Sequence, residues 1–353
     1  MPRDELENMI SRHVPGEGKL DIHRLGNGLV NETYRVLRDG RAYALRVAAT
    51  NSYDLGLDRA WEARVLERAV AADLAPELTY NDPRRGILIA CWVDGRLWSA
   101  ADVRRQSNIA RMAELMRRIH SLPMPMPARA MSPAKWIEYY RAALTRRSAN
   151  SSRHMQDSRG NVSAETSAEL PDGRGARDLS AAAARRLAAL EVLPGFDPVL
   201  CHSDLHTLNL VDRGSSLVLL DWEYAHAADP LWDLAGWGAN NDLEDNLERD
   251  LLASYTGRPP TNDEFLRLQL LGWLYDYVCL LWSELYLSGQ GDAPPAVDTL
   301  SADTLSADTP SVDTLSADTP RLAMPGADIS GAGTPGGIAA RARLLAARLD
   351  ASR

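Results

Sequence analysis

The sequence predicts an α+β fold: a small antiparallel β-sheet carrying one helix, followed by a larger, mainly helical region. Three observations carry this. Residues 20–95 alternate short strand-like runs with turns around one helical stretch. From about residue 100 the apolar residues recur with helical spacing. Residues 199–235 are a compact segment dense in polar side chains, after which apolar helices resume. At 353 residues, 45% hydrophobic and 25% charged, the chain has the make-up of a globular protein of about two domains.

The runs 20–25, 32–37 and 41–47 read as strands, with Asp39-Gly40 as the hairpin turn between the last two. Residues 58–73 form a helix in which Trp61, Val65, Leu66 and Val70 share a face, and Pro76 lies just beyond it. Residues 86–93 are a compact apolar run closed by the turn Asp94-Gly95. Residues 1–95 therefore form a first lobe and 96–290 a second. In the second, Ile109, Met112, Met116 and Ile119 line one helical face. The polar stretch 145–178 has no apolar period and reads as a flexible insertion. An Ala-rich helix starts near 179, and the helices after 235 are rich in Trp and Tyr.

Residues 297–320 are five near-copies of a pentapeptide of the type Val-Asp-Thr-Leu-Ser, the last short by one residue. A period of five suits neither helix nor strand, and one Leu or Pro per copy buries no core. The stretch 291–336 is expected to be a disordered tether. Six of the nine net negative charges belong to it, since 291–320 holds six aspartates and no basic residue. The end, 337–353, reads as an Ala/Arg/Leu helix that docks back on the body.

Composition excludes several classes. No run of ~18 apolar residues is present to span a bilayer, and the polar first residues lack the apolar core of a secretory signal. Cys91, Cys201 and Cys279 lie far apart in apolar surroundings, as buried free thiols of a cytoplasmic protein do. Only Lys19 and Lys135 are lysines among 39 basic residues, and neither stands in a P-loop. The net charge of −9 argues against a nucleic-acid surface. The expected partner is a small molecule, neither nucleic acid nor membrane.

The chemistry concentrates in one segment. Asp204 is followed five residues later by Asn209, and twelve beyond that, across a short turn and an apolar run, by Asp221. This is the layout that phosphoryl transfer needs: one Asp to orient and deprotonate a hydroxyl, and an amide oxygen with a second carboxylate to hold Mg²⁺ on nucleotide phosphates. A carboxylate ending an apolar strand is otherwise expensive. Two rival readings stand beside this one. His202, Asp204 and His206 could hold the metal of a hydrolase, which leaves Asn209 and Asp221 unexplained. A nucleotide-binding pseudokinase acting as an interaction module has no chemical use for all three residues.

The pattern His202-Ser-Asp204-x4-Asn209 with Asp221-Trp222-Glu223 resembles the aminoglycoside phosphotransferase / choline kinase superfamily, small-molecule relatives of the protein kinases. The following Asp229-Pro230-Leu-Trp-Asp233-Leu-Ala is similar to another element of that family, and Asp-Trp-Glu-Tyr-Ala looks most like its choline, ethanolamine and thiamine kinase branch. The resemblance covers about residues 20–290. It implies a bilobal, protein-kinase-like fold and an ATP- and Mg²⁺-dependent kinase, with Asp204 as the base and Asn209 and Asp221 as metal ligands. Gly26, Gly28 and Asn31 would form the loop over the ATP phosphates. Arg46 would stand where protein kinases carry lysine, and Glu62 would pair with it. Ala90 and Trp92 would lie in the hinge that meets adenine. His202 would brace the catalytic loop, His206 would lie near the cleft, and Asp233 would buttress the loop.

The resemblance further implies a hydroxyl acceptor on a small cationic alcohol, choline or ethanolamine first and thiamine second, with an aminoglycoside as the alternative. Cations are held by aromatic faces and nearby carboxylates. The residues expected to supply them are Glu223, Trp237, Trp273, Asp276 and Tyr277, with Tyr275 and Trp282 on the same stretch.

Overall fold

The computed structural model describes residues 3–27, 30–48, 55–157, 179–289 and 335–351. Strands β1 (Asp21–Asn27), β2 (Asn31–Arg38), β3 (Arg41–Ala48), β4 (Leu78–Asp82) and β5 (Ile87–Cys91) form an antiparallel sheet in the order β1-β2-β3-β5-β4. Asp39 and Gly40 join β2 to β3 with φ of 49° and 75°, the two positive values of a type I′ turn, which suits the twist of a hairpin.

Strand side chains alternate between faces, so β3 sends Tyr43 and Leu45 one way and Ala44 and Arg46 the other. The register sets Leu45 beside Ile89 and Arg46 beside Leu88 of β5. On the first face, Val36, Tyr43, Leu45, Ile87 and Ile89 pack against Leu6, Met9 and Ile10 of α1 (Arg3–His13), a helix that the sequence pattern did not announce. The second face, with Arg46, is left for the cleft. Helix α2 (Arg59–Ala71) is capped by Asp58, whose carboxylate accepts the N–H of Trp61 at 2.9 Å. It buries Trp61, Val65, Leu66 and Ala69.

The larger part contains β6 (Arg96–Leu97), β8 (Leu210–Asp212) and β9 (Leu217–Leu219) in one small sheet, and β7 (Val199–Cys201) paired with β10 (His226–Ala228) in another. The helices are α3 (Ala100–Val103), α4 (Gln106–His120), α5 (Pro133–Asp157), α6 (Ser180–Val192), α7 (Leu231–Asn241), α8 (Asp245–Thr256), α9 (Asn262–Ser288) and α10 (Pro335–Ala351). Helix α9 is apolar around most of its circumference, and α5, α7 and α10 pack on it from different sides.

The insertion expected from residue 145 needs revision, because α5 continues to Asp157. After Pro133 its sequence contains neither Gly nor Pro. Once Trp136, Ile137, Tyr140 and Ala143 anchor its first turns in the core, the helix runs on through polar residues. Residues 158–178 and the pentapeptide repeat lie outside the described residues. Helix α10 docks on the main core through Ile338, Ala342, Leu345 and Leu349. Among the described residues, no helix is long and apolar enough to cross a membrane.

Candidate active site

The segment after β7 and the hairpin β8–β9 place the acidic residues. Leu220 N–H donates to the carbonyl of Asn209 at 2.8 Å, tying the start of β8 to the residue before Asp221. Ser203 and Asp221 both adopt left-handed backbone, with φ of 69° and 57°. Such conformations in non-glycine residues store strain and cluster at functional sites. The loop is held by Asp233 near the start of α7, whose carboxylate accepts the N–H of His202 at 2.9 Å and of Ser203 at 2.7 Å and lies 3.1 Å from His120 Nε2.

His202 is fully buried, with Nε2 2.9 Å from the carbonyl of Leu220 and Nδ1 accepting the N–H of Asp204 at 3.3 Å. Burial pushes its ring below the usual histidine range, so it is neutral. Both ring nitrogens are committed, so His202 cannot join Asp204 and His206 in a metal cluster. The group of metal-capable side chains that does converge among the described residues is His120, Cys201 and Asp233, where His120 and Asp233 already bond to each other. The hydrolase reading thus loses its ligands.

Asp204 accepts a hydrogen bond from Asn209 Nδ2 at 3.1 Å and faces His206 Nε2 at 3.5 Å. Burial acts to raise its carboxyl, but His206, and after it His202, hold it below the usual carboxylate range. It is therefore ionised at neutral pH.

Two cavities meet at this pair. The first lies between the second face of the large sheet and the β8–β9 hairpin, with about 940 Å³ of open space. Arg46, Glu62, Ala90, Trp92, Asn209 and Asp221 all line it, between apolar side chains such as Ala44 and Leu88 on one side and Leu208 and Leu220 on the other. The N–H of Trp92 donates to the carbonyl of Ala42 at 3.0 Å and so is not free for a ligand. Gly26 is the penultimate residue of β1, at a shift in register with β2, and Gly28 lies outside the described residues.

A buried ion network closes the inner end of this cleft. Arg46 donates to Glu62 at 2.6 Å and to Asp221 at 2.9 Å. Arg59, at the start of α2, donates to Glu62 at 2.9 Å, Glu223 at 2.8 Å and the Asn31 side-chain oxygen at 2.7 Å, and Asn31 Nδ2 donates to Glu223 at 2.9 Å. Two expectations fail here. Asn31 does not face a phosphate site and Glu223 does not face an acceptor, because each is 3% exposed or less and bound into this network. Arg59 went unnoticed in the sequence, although its spacing of three from Glu62 on one helix was a usable signal. Burial and the charge of Glu223 push the Asp221 carboxyl well above its usual range despite Arg46. Glu62 moves the other way: Arg46 and Arg59 overcome its burial and hold it low.

The second cavity, about 430 Å³, opens beside Asp204. Its wall is aromatic: Trp136 and Tyr140 from α5, Tyr224 and Trp232, and Tyr275 and Trp282 from α9. Trp136 and Tyr140 are stacked at 5.4 Å, and Trp282 Nε1 donates to the Tyr224 hydroxyl at 2.6 Å. The Tyr275 ring lies so close to α7 that a Cβ on Gly236 would meet it at 2.8 Å. His226 also lines the cavity, and burial pushes its ring down to about 4.

Four more expected acceptor residues are displaced. Trp237 packs edge-on against Trp98, the face of Trp273 is covered by the Arg186 guanidinium at 4.1 Å, Tyr277 leans on Trp273, and Asp276 pairs with Arg348 of α10. Successive helical residues turn by 100°, so 273, 276 and 277 look away from the cavity that 275, 278, 279 and 282 line. The aromatic pair Trp136/Tyr140, four apart on one helix, was visible in the sequence but carried no motif.

Solved structures share this architecture. A choline/ethanolamine kinase family protein from Mesorhizobium loti aligns with a TM-score of 0.60 and 24% identity over 82% of this chain and 88% of its own. Choline kinase LicA from Streptococcus pneumoniae aligns with a TM-score of 0.62 and 20% identity, over 82% and 92%. A macrolide 2′-phosphotransferase from Brachybacterium faecium aligns with a TM-score of 0.52 and 17% identity, over 82% and 94%. Among curated proteins none is a match in sequence. The sequence profile of the phosphotransferase enzyme family matches residues 21–268, which hold the cleft, Asp204, Asn209 and Asp221, and four of the six aromatic side chains of the second cavity. By fold and by sequence, the chain is a phosphotransferase and belongs to the phosphotransferase enzyme family.

Proposed function

We propose that this phosphotransferase is an ATP- and Mg²⁺-dependent kinase that phosphorylates the hydroxyl of a small cationic alcohol, choline or ethanolamine first and thiamine second. One observation carries the reading: Asn209 and Asp204, hydrogen-bonded to each other, stand between a cleft containing Arg46 and Asp221 and an aromatic cavity. A nucleotide in the cleft and an alcohol in the cavity would meet at Asp204. Aromatic faces suit a quaternary or primary ammonium.

The residues present fit Mg²⁺. Asn209 and Asp221 offer hard oxygen donors, and Glu62, Asp221 and Glu223 outnumber Arg46 and Arg59 by one charge. Held by Asn209 and Asp221, the ion supplies charge neutralisation on the nucleotide phosphates. The protein does the rest. Arg46 turns its planar fork to phosphate oxygens. Asn209 Nδ2 orients the Asp204 carboxylate, which takes the proton of the acceptor hydroxyl. The acceptor oxygen forms its bond to the γ-phosphorus while the bond to the ADP oxygen breaks, in line, with no phospho-enzyme. Asp233 and the neutral His202 keep the loop in place. Three free cysteines fit work in a reducing cytoplasm.

The test is an ATP-consumption assay over choline, ethanolamine, thiamine, homoserine and several aminoglycosides, run beside Asp204→Asn. A cationic alcohol should raise turnover, and Asp204→Asn should lower it by about 10²–10⁴-fold. No stimulation by any acceptor, or full activity in the variant, refutes the proposal. Stimulation by aminoglycosides alone replaces the acceptor class.

A further inference from the structure

Ser203 stands between His202 and Asp204 in a backbone conformation, φ 69°, that suits glycine and strains any residue with a Cβ. Strain of this kind persists where the side chain has a use. The Ser203 side chain lines the aromatic cavity, next to Asp204 and together with Trp136, Tyr224 and His226. Its backbone N–H is committed to Asp233 at 2.7 Å, which leaves the hydroxyl as its free polar group.

Among the described residues, the hydrogen-bond partner of Ser203 Oγ is His226 Nδ1, at 3.0 Å. Two other neighbours decide which of the pair donates. His226 Nδ1 also lies 2.8 Å from the carbonyl of Tyr224, and Trp136 Nε1 donates to His226 Nε2 at 3.4 Å. A carbonyl only accepts and an indole N–H only donates. Both therefore select the neutral ring with its proton on Nδ1 and its lone pair on Nε2. That proton is shared between the Tyr224 carbonyl and Ser203 Oγ. Nδ1 then has no lone pair for the Ser203 O–H, whose proton is left for the cavity.

We infer that Ser203 is a specificity-determining residue, whose hydroxyl donates to the oxygen of the acceptor's reacting hydroxyl while that hydroxyl donates to Asp204. This rests on the kinase reading and deepens it. A donor followed directly by an acceptor matches a group that is itself both. An alcohol is such a group; an ammonium, with donors only, would set an N–H against the Ser203 O–H. The charge of Asp204 by itself attracts the nitrogen of an amino alcohol. Ser203 opposes that approach, so the oxygen sits at Asp204 and the cation is left to the aromatic wall.

The probes are choline, ethanolamine and (2-aminoethyl)trimethylammonium, the last being choline with an amine in place of its hydroxyl. The full chain is assayed with MgATP, and binding of the three compounds is followed by tryptophan fluorescence of the cavity. Ser203→Gly removes the hydroxyl and the backbone strain together, so it should fold with a Tm at or above that of the wild type. It should lower kcat/KM for choline and ethanolamine by about 3–10-fold while the KM for ATP holds. The ratio of choline affinity to that of its amine analogue should fall by a similar factor. Ser203→Ala keeps the strain, and should show the same losses with a Tm below that of Ser203→Gly. If Ser203→Ala does not fold, Ser203→Gly still decides. Wild-type activity in Ser203→Gly, or a loss of affinity that falls equally on choline and the amine, overturns the inference. Either leaves the kinase reading intact if choline or ethanolamine is turned over. No binding or turnover of choline or ethanolamine by the wild type overturns both.

Discussion

Asp221→Asn should make the free protein more stable and the enzyme inactive. Asp221 belongs to a buried set of three carboxylates and two guanidinium groups, with its own side chain 6% exposed. Burial and Glu223 raise its carboxyl well above the usual range. A carboxylate whose folded pKa exceeds its unfolded value of about 3.9 costs nothing below that pH. The cost grows above it and is complete once the pH passes the folded pKa. Asparagine keeps the shape, tolerates the left-handed φ of 57°, and leaves two charges of each sign. Relief of unbalanced buried charge is worth about 1–4 kcal/mol, from which the lost 2.9 Å contact with Arg46 subtracts.

A net gain of about 1–2 kcal/mol should raise Tm by roughly 2–6 °C at pH 7 and vanish near pH 4. Calorimetric scans from pH 4 to 8, with and without MgATP, measure this. MgATP should raise the wild-type Tm by mass action and leave the variant unmoved. A lower Tm at pH 7, a gain that persists at pH 4, or a retained MgATP shift would refute the charge argument.

Arg59→Met should cost about 3–5 kcal/mol, because it strands Glu223 and half of Glu62 in the interior. Glu62 is held low when folded, so its contribution is present above its unfolded pKa and is lost as the pH falls through the folded one. Urea midpoints should therefore separate wild type and variant more at pH 7 than at pH 4, and a constant separation speaks against the network. For His226, with its ring pushed down to about 4, stability is complete above its unfolded pKa and falls between about 6.5 and 4, by roughly 3 kcal/mol in all. His226→Gln should flatten that acid limb in a pH series of unfolding midpoints; superimposable limbs would exclude His226 as its source.

Much of the site could be read directly because its spacing is local. Asp204, Asn209 and Asp221 lie within eighteen residues on one loop and one hairpin, and Asp39-Gly40 dictates a turn by its own backbone preferences. Arg46 and Ala90 reach the cleft through strand alternation, a period-2 property of short segments. These are properties of nearest neighbours along the chain, so the order of residues suffices. Which aromatic side chains surround Asp204 was settled by packing instead. A helix as apolar as α9 offers no stripe, and only the placement of α5, α7 and α10 around it separates Tyr275 and Trp282 from Trp273 and Tyr277. The same holds for Arg59, whose meaning depends on carboxylates brought to it from distant segments. The sequence by itself determined the phosphotransferase family, written in local spacing, while the tertiary structure alone decided what surrounds Asp204, because burial and charge balance are sums over residues far apart in the chain.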